Sequence, residues 1–206
     1  MTLELIELLT ESRQRGFLGP GPVEAHLDHA RAFAVAVPGA PRRALDLGAG
    51  GGLPGLVLAV EHWPETEWVF LDAQQKRTDF LREAVHALDL EGRVSVITER
   101  AEVGGRAPEH RGTYDLVVSR SFGPPAVVLE CAAPLLQVGG RLVVSEPPTT
   151  SVDDRWPAEA VAALGCSPAA SVVVGETFHL ACLDLVAPAP ERFPRRVGIP
   201  TKRPLF

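Results

Sequence analysis

The sequence predicts an α/β fold in which helices cover both faces of a mostly parallel, seven-stranded sheet with one antiparallel strand. Two observations predict it. From residue 43 onward, short apolar segments alternate with amphipathic ones, which is typical of a doubly wound sheet. The last two strands are separated only by residues 175–178, a connection too short for a helical crossover. These two strands are therefore expected to pair antiparallel.

The individual elements follow from hydrophobic periodicity and from glycine and proline breaks. Two N-terminal helices are predicted at residues 3–15 and 23–37. The predicted strands are residues 43–47, 67–71, 94–98, 115–119, 141–145, 171–174 and 179–186. The helices between them are residues 55–61, 76–88, 126–136 and 153–164. This pattern divides the chain into a helical extension (1–40), a central domain (41–190) and a C-terminal tail (191–206).

Composition excludes several classes of protein. The chain has 206 residues, enough for one α/β domain, and no apolar run of the roughly 20 residues that a bilayer requires. Its acidic N-terminus is unlike a signal peptide. Three cysteines without a C-x-x-C pair indicate neither a disulfide framework nor a metal site. We therefore expect a cytoplasmic, monomeric protein without metal or membrane contact.

Residues 45–55, Leu-Asp-Leu-Gly-Ala-Gly-Gly-Gly-Leu-Pro-Gly, join the first strand to a helix. Glycine adopts positive φ and lets a ligand approach the backbone, and a helix start offers unpaired N–H groups. A glycine-rich turn that binds nothing is the alternative. The arrangement favours a nucleotide-cofactor site that includes Asp46, Gly48, Gly50 and Gly52.

Two cofactor classes compete for this glycine loop. It satisfies the G-x-G-x-x-G pattern of dinucleotide enzymes, but that pattern is weakly specific where glycine is so frequent. Asp46 favours the other class, because a carboxylate repels a pyrophosphate and attracts the sulfonium and ammonium groups of S-adenosyl-L-methionine. The spacing of Asp46 and the glycines also resembles the first motif of Rossmann-like class I methyltransferases.

Further polar residues follow the next strands of the predicted sheet. Asp72 ends the second strand, where a carboxylate can accept hydrogen bonds from ribose hydroxyls or cap the following helix. Ala101 and Glu102 follow the third strand, over the expected adenine position or in an exposed loop. Arg120 follows the fourth strand, where it can hold a cofactor carboxylate or a phosphate, or form a surface ion pair.

The tail is basic although the whole chain is acidic. Residues 191–206 carry a local charge of +4, whereas the net charge of the chain is −6. This asymmetry suggests contact with a polyanion, and a solvated terminus is the alternative. The tail residues proposed to bind the phosphates of such a polyanion are Arg195, Arg196, Lys202 and Arg203.

Five segments, in the same order along the chain, resemble the glucose-inhibited division protein B family. They are residues 45–55, 71–81, 100–102, 114–122 and 193–205. The resemblance implies an S-adenosylmethionine-dependent methyltransferase that modifies N7 of a guanine in bacterial 16S ribosomal RNA. Carried over by position, it places on the cofactor Gly48, Leu53, Ala101, Glu102 and Arg120. Guanine N7 has a free lone pair, so no catalytic residue is predicted.

The chain also departs from that family. The asparagine-leucine-threonine segment expected before the first strand is replaced by residues 19–22, Gly-Pro-Gly-Pro. The usual lysine-glycine pair after the fifth strand is replaced by residues 145–148, Ser-Glu-Pro-Pro. Glu146 reverses a charge beside the expected substrate entrance, which is unfavourable for RNA. The alternatives are therefore a divergent paralogue acting on another RNA or a small molecule, a non-catalytic ribosome assembly factor, or a nicotinamide dehydrogenase.

Overall fold

A computed structural model describes residues 3–148 and 151–206. Seven strands form a single sheet in the order β3-β2-β1-β4-β5-β7-β6. Strand β7 runs antiparallel to both of its neighbours, and all other pairs are parallel. The strands are β1 Arg43–Leu47, β2 Glu67–Asp72, β3 Val94–Thr98, β4 Tyr114–Ser119, β5 Leu136–Glu146, β6 Ala170–Val174 and β7 Phe178–Asp184. The predicted fold and the reversed strand are confirmed.

The helices of the described chain are distributed over both faces of the sheet. They are α1 Leu3–Gln14, α2 Val23–Val35, α3 Gly55–Val57, α4 Gln75–Ala87, α5 Ala101–Gly104, α6 Pro125–Ala132, α7 Val152–Arg155, α8 Ala158–Ala162 and α9 Ile199–Lys202. A short π-helix, Leu58–His62, continues α3.

Strand alternation sends neighbouring side chains of β2 into two different cores. Trp68 and Phe70 pack into a core shared with α1 to α4. Val69 and Leu71 face the other core, which contains side chains of α6 and α8. The sheet is therefore buried on both sides, as its nearly continuous apolar strands predict.

Two predicted helices are shorter than expected. The segment 153–164 is split into α7 and α8, because Pro157 lacks an N–H donor and disfavours the helical conformation of the preceding Trp156. The segment 126–136 ends as a helix at Ala132, and its last residue, Leu136, already begins β5.

The N-terminal helices and the tail are packed against the central domain. Leu5 and Leu9 of α1 and Phe33 of α2 lie in the first core, and Phe193 of the tail lies in the second. The three-segment division of the chain stays a prediction. In the described part of the chain, no helix is both long and apolar enough to cross a membrane.

Candidate functional site

Three adjoining cavities open at the carboxyl ends of the parallel strands, where ligands bind in open α/β sheets. The acidic cavity, about 300 Å³, is lined by Gly48, Asp72, Ala101, Glu102, Phe122 and Thr201, among others. The loop cavity, about 160 Å³, includes Gly19, Gly48, Gly50, Leu53, Arg77 and Arg120. The aromatic cavity, about 300 Å³, includes His29, Ser121, Phe122, Glu146, Arg155 and Trp156.

Two glycines of the loop combine a positive φ with a position that leaves no room for a Cβ atom. Gly48 has a φ of +76°, and a Cβ atom there would lie 2.5 Å from Cδ2 of Phe122. Gly52 has a φ of +95°, and its Cβ would lie 2.3 Å from Cδ1 of the buried Leu56. The bare backbone at Gly48 consequently forms a wall of both the acidic and the loop cavity.

Asp72 connects the end of β2 to the glycine loop. Its Oδ2 accepts a hydrogen bond from the Gly50 N–H at 3.0 Å, and its Oδ1 accepts one from the Gln74 N–H at 2.8 Å. Helix α4 begins at Gln75 with Gln74 as its N-cap residue, so Asp72 does not cap it. Nη1 of Arg77 forms an ion pair with Oδ2 at 3.7 Å, beyond hydrogen-bond distance. Each carboxylate oxygen therefore keeps one acceptor position, and the side chain lines the acidic cavity.

Asp46 lies beneath the glycine loop and lines none of the three cavities. Its side chain is fully buried, and its Oδ2 accepts a hydrogen bond from the Gly55 N–H at 2.8 Å. Its Oδ1 has no hydrogen-bond partner among the described residues. Burial raises the pKa of Asp46 to about 7. The nearby charge of Asp72 also raises this pKa, whereas the hydrogen bond from the Gly55 N–H and the charge of Arg120 lower it.

Arg120 is held by a histidine of α2. Its Nη2 donates to Nδ1 of His26 at 2.6 Å, and Nε2 of His26 lies 3.1 Å from the Gly19 carbonyl oxygen. Because Nδ1 accepts, His26 carries its proton on Nε2. Burial lowers the pKa of Arg120, and its Nη1 is buried without a partner among the described residues. Both N–H groups of Nη1 are therefore unpaired within the described structure, beside the loop cavity that Arg120 lines.

Two histidines of α2, His26 and His29, lie at the site although neither was among the predicted site residues. Burial, Arg120 and His26 together lower the pKa of His29 to about 4, so its imidazole is neutral at pH 7. The His29 ring stacks on Phe178 with 5.2 Å between the ring centroids. The i, i+3 spacing of the two histidines on α2 is the one sequence feature that could have indicated a shared position.

Glu102 connects the acidic cavity to the tail. Its Oε1 accepts hydrogen bonds from the Gly198 N–H at 2.8 Å and from Nη2 of Arg100 at 3.4 Å. Burial alone would raise the pKa of Glu102, but these donors outweigh it and the pKa is lowered. Thr201, three residues beyond Gly198, lines the same cavity. The tail thus forms part of the cavity wall.

Arg195 forms a partly buried ion pair within the protein. Its Nε and Nη2 lie 2.8 and 2.6 Å from the two carboxylate oxygens of Glu130, a residue of α6 with no exposed surface. Its guanidinium is engaged internally, unlike the exposed side chains of Arg196, Lys202 and Arg203. RNA binding by these four residues stays a prediction.

The negative charge of Glu146 is compensated by two neighbouring hydrogen-bond donors. Its carboxylate accepts hydrogen bonds from Nε of Arg155 and, at 2.9 Å, from Nε1 of Trp156. The side chain is 7% exposed. The charge reversal noted in the sequence is therefore largely neutralised within the protein, and the expected repulsion of RNA is reduced.

Seven of the nine residues predicted to bind the cofactor line the acidic or the loop cavity. They are Gly48, Gly50, Leu53, Asp72, Ala101, Glu102 and Arg120. Asp46 and Gly52 line neither cavity and support the loop from below. Within residues 3–148 and 151–206, no group of three or more potential ligands forms a candidate metal site.

Similarity to solved structures supports the fold. The O-methyltransferase from Bacillus cereus in complex with SAH superposes with a TM-score of 0.63 at 18% identity, covering 89% of this chain and 91% of that one. The 16S rRNA N2 G1207 methyltransferase of T. thermophilus, in complex with AdoMet and guanosine, gives a TM-score of 0.53 at 24% identity. That match covers 79% of this chain and 40% of that one.

Sequence relatives identify the family. The family model GidB, described as rRNA small subunit methyltransferase G, matches residues 23–148. Ribosomal RNA small subunit methyltransferase G of Roseiflexus castenholzii is 38% identical over 173 residues, covering 81% of this chain and 72% of that protein. The protein of the same name from Deinococcus radiodurans is 38% identical over 169 residues, covering 80% of this chain and 66% of that protein. The chain therefore belongs to the rRNA small subunit methyltransferase G family.

Proposed function

We propose that this protein transfers the methyl group of S-adenosyl-L-methionine to N7 of a guanine in 16S ribosomal RNA. The observation that carries the proposal is the set of adjoining cavities at the strand ends, in a chain of this family. Two further features are proposals of the same kind: action in the cytoplasm, where ribosomal subunits are assembled, and a monomeric state.

The residues of the acidic and loop cavities fit S-adenosylmethionine. Asp72 keeps acceptor positions for the two ribose hydroxyls. The unused Nη1 donor of Arg120 suits the methionine carboxylate. The bare backbone at Gly48 allows close approach without a Cβ atom. When bound, the cofactor supplies an electrophilic methyl group on a positively charged sulfur.

The protein's own contribution to the reaction is alignment. Methyl transfer is an in-line displacement, so positioning the base against the methyl group supplies much of the rate enhancement. Guanine N7 reacts through its free lone pair, so no side chain needs to remove a proton first. The neutral His29 and the compensated Glu146 leave the neighbouring cavity without a strong unpaired charge.

The decisive test is transfer of labelled methyl from S-adenosylmethionine to small ribosomal subunits that lack the guanine-N7 mark. We expect incorporation at a single guanine, mapped by cleavage at 7-methylguanine. Asp72→Asn should weaken cofactor binding by about 1–3 kcal/mol, the range for hydrogen bonds to charged groups. Cofactor binding without methyl incorporation would instead support the divergent paralogue or the assembly factor.

A further inference from the structure

We propose that the aromatic cavity holds the target base and that Glu146 selects guanine by accepting hydrogen bonds from its N1–H and N2–H groups. This inference rests on the proposed function and adds the residue that determines base specificity. Glu146 is the last residue of β5 and lines the aromatic cavity.

The position of the aromatic cavity supports the proposal. Ser121 and Phe122 line both this cavity and the acidic cavity, so the two spaces share a wall. Enzymes that modify a base in a structured nucleic acid take it out of the stack into a pocket, where aromatic side chains contact its faces. Phe122 and the neutral His29 supply such aromatic surface here, and the buried Trp156 closes the cavity behind Glu146.

The polar groups of the cavity match guanine. Glu146 already accepts from Arg155 and Trp156, and each carboxylate oxygen retains one acceptor position. Guanine presents two donors on its Watson–Crick edge, at N1 and N2, next to the acceptor O6. The carboxylate can accept from both donors, and the adjacent Arg155 guanidinium can donate to O6. Adenine would place its N1 lone pair against the carboxylate.

The same orientation suits the chemistry. N7 belongs to the five-membered ring of the purine, whereas N1 and N2 belong to the opposite side of the six-membered ring. A guanine held through N1 and N2 therefore directs N7 away from Glu146. Ser121 and Phe122 border both the aromatic and the acidic cavity, so a base and a cofactor bound in them would be neighbours.

Replacement of the target guanine by inosine tests the proposal, because inosine lacks only the N2 amine. We would measure kcat/KM for small subunits reconstituted with 16S RNA carrying guanine or inosine at the mapped position. The wild-type protein should prefer guanine by about tenfold or more, since inosine leaves an acceptor of the buried carboxylate unpaired. Equal rates on the two RNAs would overturn the inference while leaving the proposed function intact.

Variants of Glu146 test whether this residue causes the preference for guanine over inosine. Glu146→Gln should bring the guanine-to-inosine ratio close to one, with cofactor affinity unchanged in calorimetry. Glu146→Asp retains the charge opposite Arg155 but withdraws the carboxylate by one methylene, so the ratio should fall there as well. The matched control is Asp154→Asn, an exposed acid on α7, which should keep the wild-type ratio.

One outcome would contradict the role of Glu146 in guanine recognition, and another would contradict the proposed function. If Glu146→Gln and Glu146→Asp both slow the reaction equally on the two RNAs, Glu146 only maintains the cavity and the inference is wrong. If the wild-type protein methylates neither RNA despite binding the cofactor, the proposed function itself fails.

Discussion

The glycine loop and the basic tail both line the acidic cavity, but different interactions hold them. The loop is held by close packing of its backbone, because a Cβ atom at Gly48 would lie 2.5 Å from Cδ2 of Phe122. The tail is held by charged groups of the central domain, with Glu130 binding Arg195 and Glu102 binding the Gly198 N–H. One cavity therefore combines a wall fixed by close packing against the backbone with a wall fixed by ionic and hydrogen-bonded pairs.

Substitution in the loop should have the largest effect. We expect Gly48→Ala to destabilise the protein by about 4 kcal/mol, because it adds backbone strain at positive φ to a steric overlap with Phe122. Displacement of Phe122 should also abolish cofactor binding. Thermal unfolding and calorimetric titration with S-adenosylmethionine would measure the two effects.

Gly112→Ala is the control that separates the cost of backbone strain from the cost of steric overlap. Gly112 also has a positive φ, +68°, but a Cβ atom there would meet no described atom within 4 Å beyond its chain neighbours. This control should lose only about 1–2 kcal/mol and retain full cofactor affinity. Equal losses in the two variants would show that the contact with Phe122 is unimportant.

Breaking the attachment of the tail should have an intermediate effect. Arg195→Ala removes the charged partner of the buried Glu130 carboxylate, which keeps only the backbone N–H of residue 195 as a donor. We expect a cost of about 2–3 kcal/mol, less than for a fully buried pair because the Arg195 side chain is 27% exposed. The tail should then become sensitive to limited proteolysis, and cofactor affinity should fall with the loss of the wall at Thr201.

The neighbouring Arg196→Ala provides the matched comparison. Arg196 is exposed, so its removal should leave the tail docked and cofactor binding unchanged. It should instead weaken RNA binding and reduce the slope of log affinity against log salt concentration by about one. If Arg195→Ala and Arg196→Ala behave alike in both assays, the distinction between a structural and an RNA-facing arginine is wrong.

The smallest predicted effect concerns pH. Burial raises the pKa of Asp46 to about 7, so much of the free protein carries a proton on this carboxyl below that pH. A cationic ligand favours the carboxylate, and binding should therefore release the proton. Cofactor affinity is expected to rise between pH 6 and 8 by less than about tenfold and then to level off.

Calorimetry in two buffers of different ionisation enthalpy would count the released protons directly. Asp46→Asn should show no such release, and S-adenosylhomocysteine, which lacks the sulfonium charge, should show less. An affinity that is the same at pH 6 and pH 8 would contradict the role of Asp46.

The local parts of the fold and the site could be predicted from the sequence. Strand periodicity predicted all seven strands, and the short connection at residues 175–178 identified the reversed pair. The glycine loop and the carboxylate of Asp72 were found because each lies at a strand end, where chain order alone determines the location. These features depend on neighbours within a few residues or on the sheet order.

The remaining features depend on contacts between distant residues. Helix α9 and the docking of the tail require pairing between Glu130 and Arg195, 65 positions apart, and between Glu102 and Gly198, 96 positions apart. The hydrogen bond between His26 and Arg120 spans 94 positions. No periodic pattern encodes such pairs, whereas the interruption between α7 and α8 could have been anticipated from Pro157.

Ser121 and Phe122 line both the proposed cofactor cavity and the proposed base cavity. Ser121 has a φ of +58°, a left-handed backbone conformation that is costly outside glycine. If an occupant of the acidic cavity relieves or increases that strain, it alters the same wall from which the aromatic cavity is built. Binding of the cofactor would then change the affinity for the base by some factor. By thermodynamic linkage, binding of the base must change the affinity for the cofactor by the same factor.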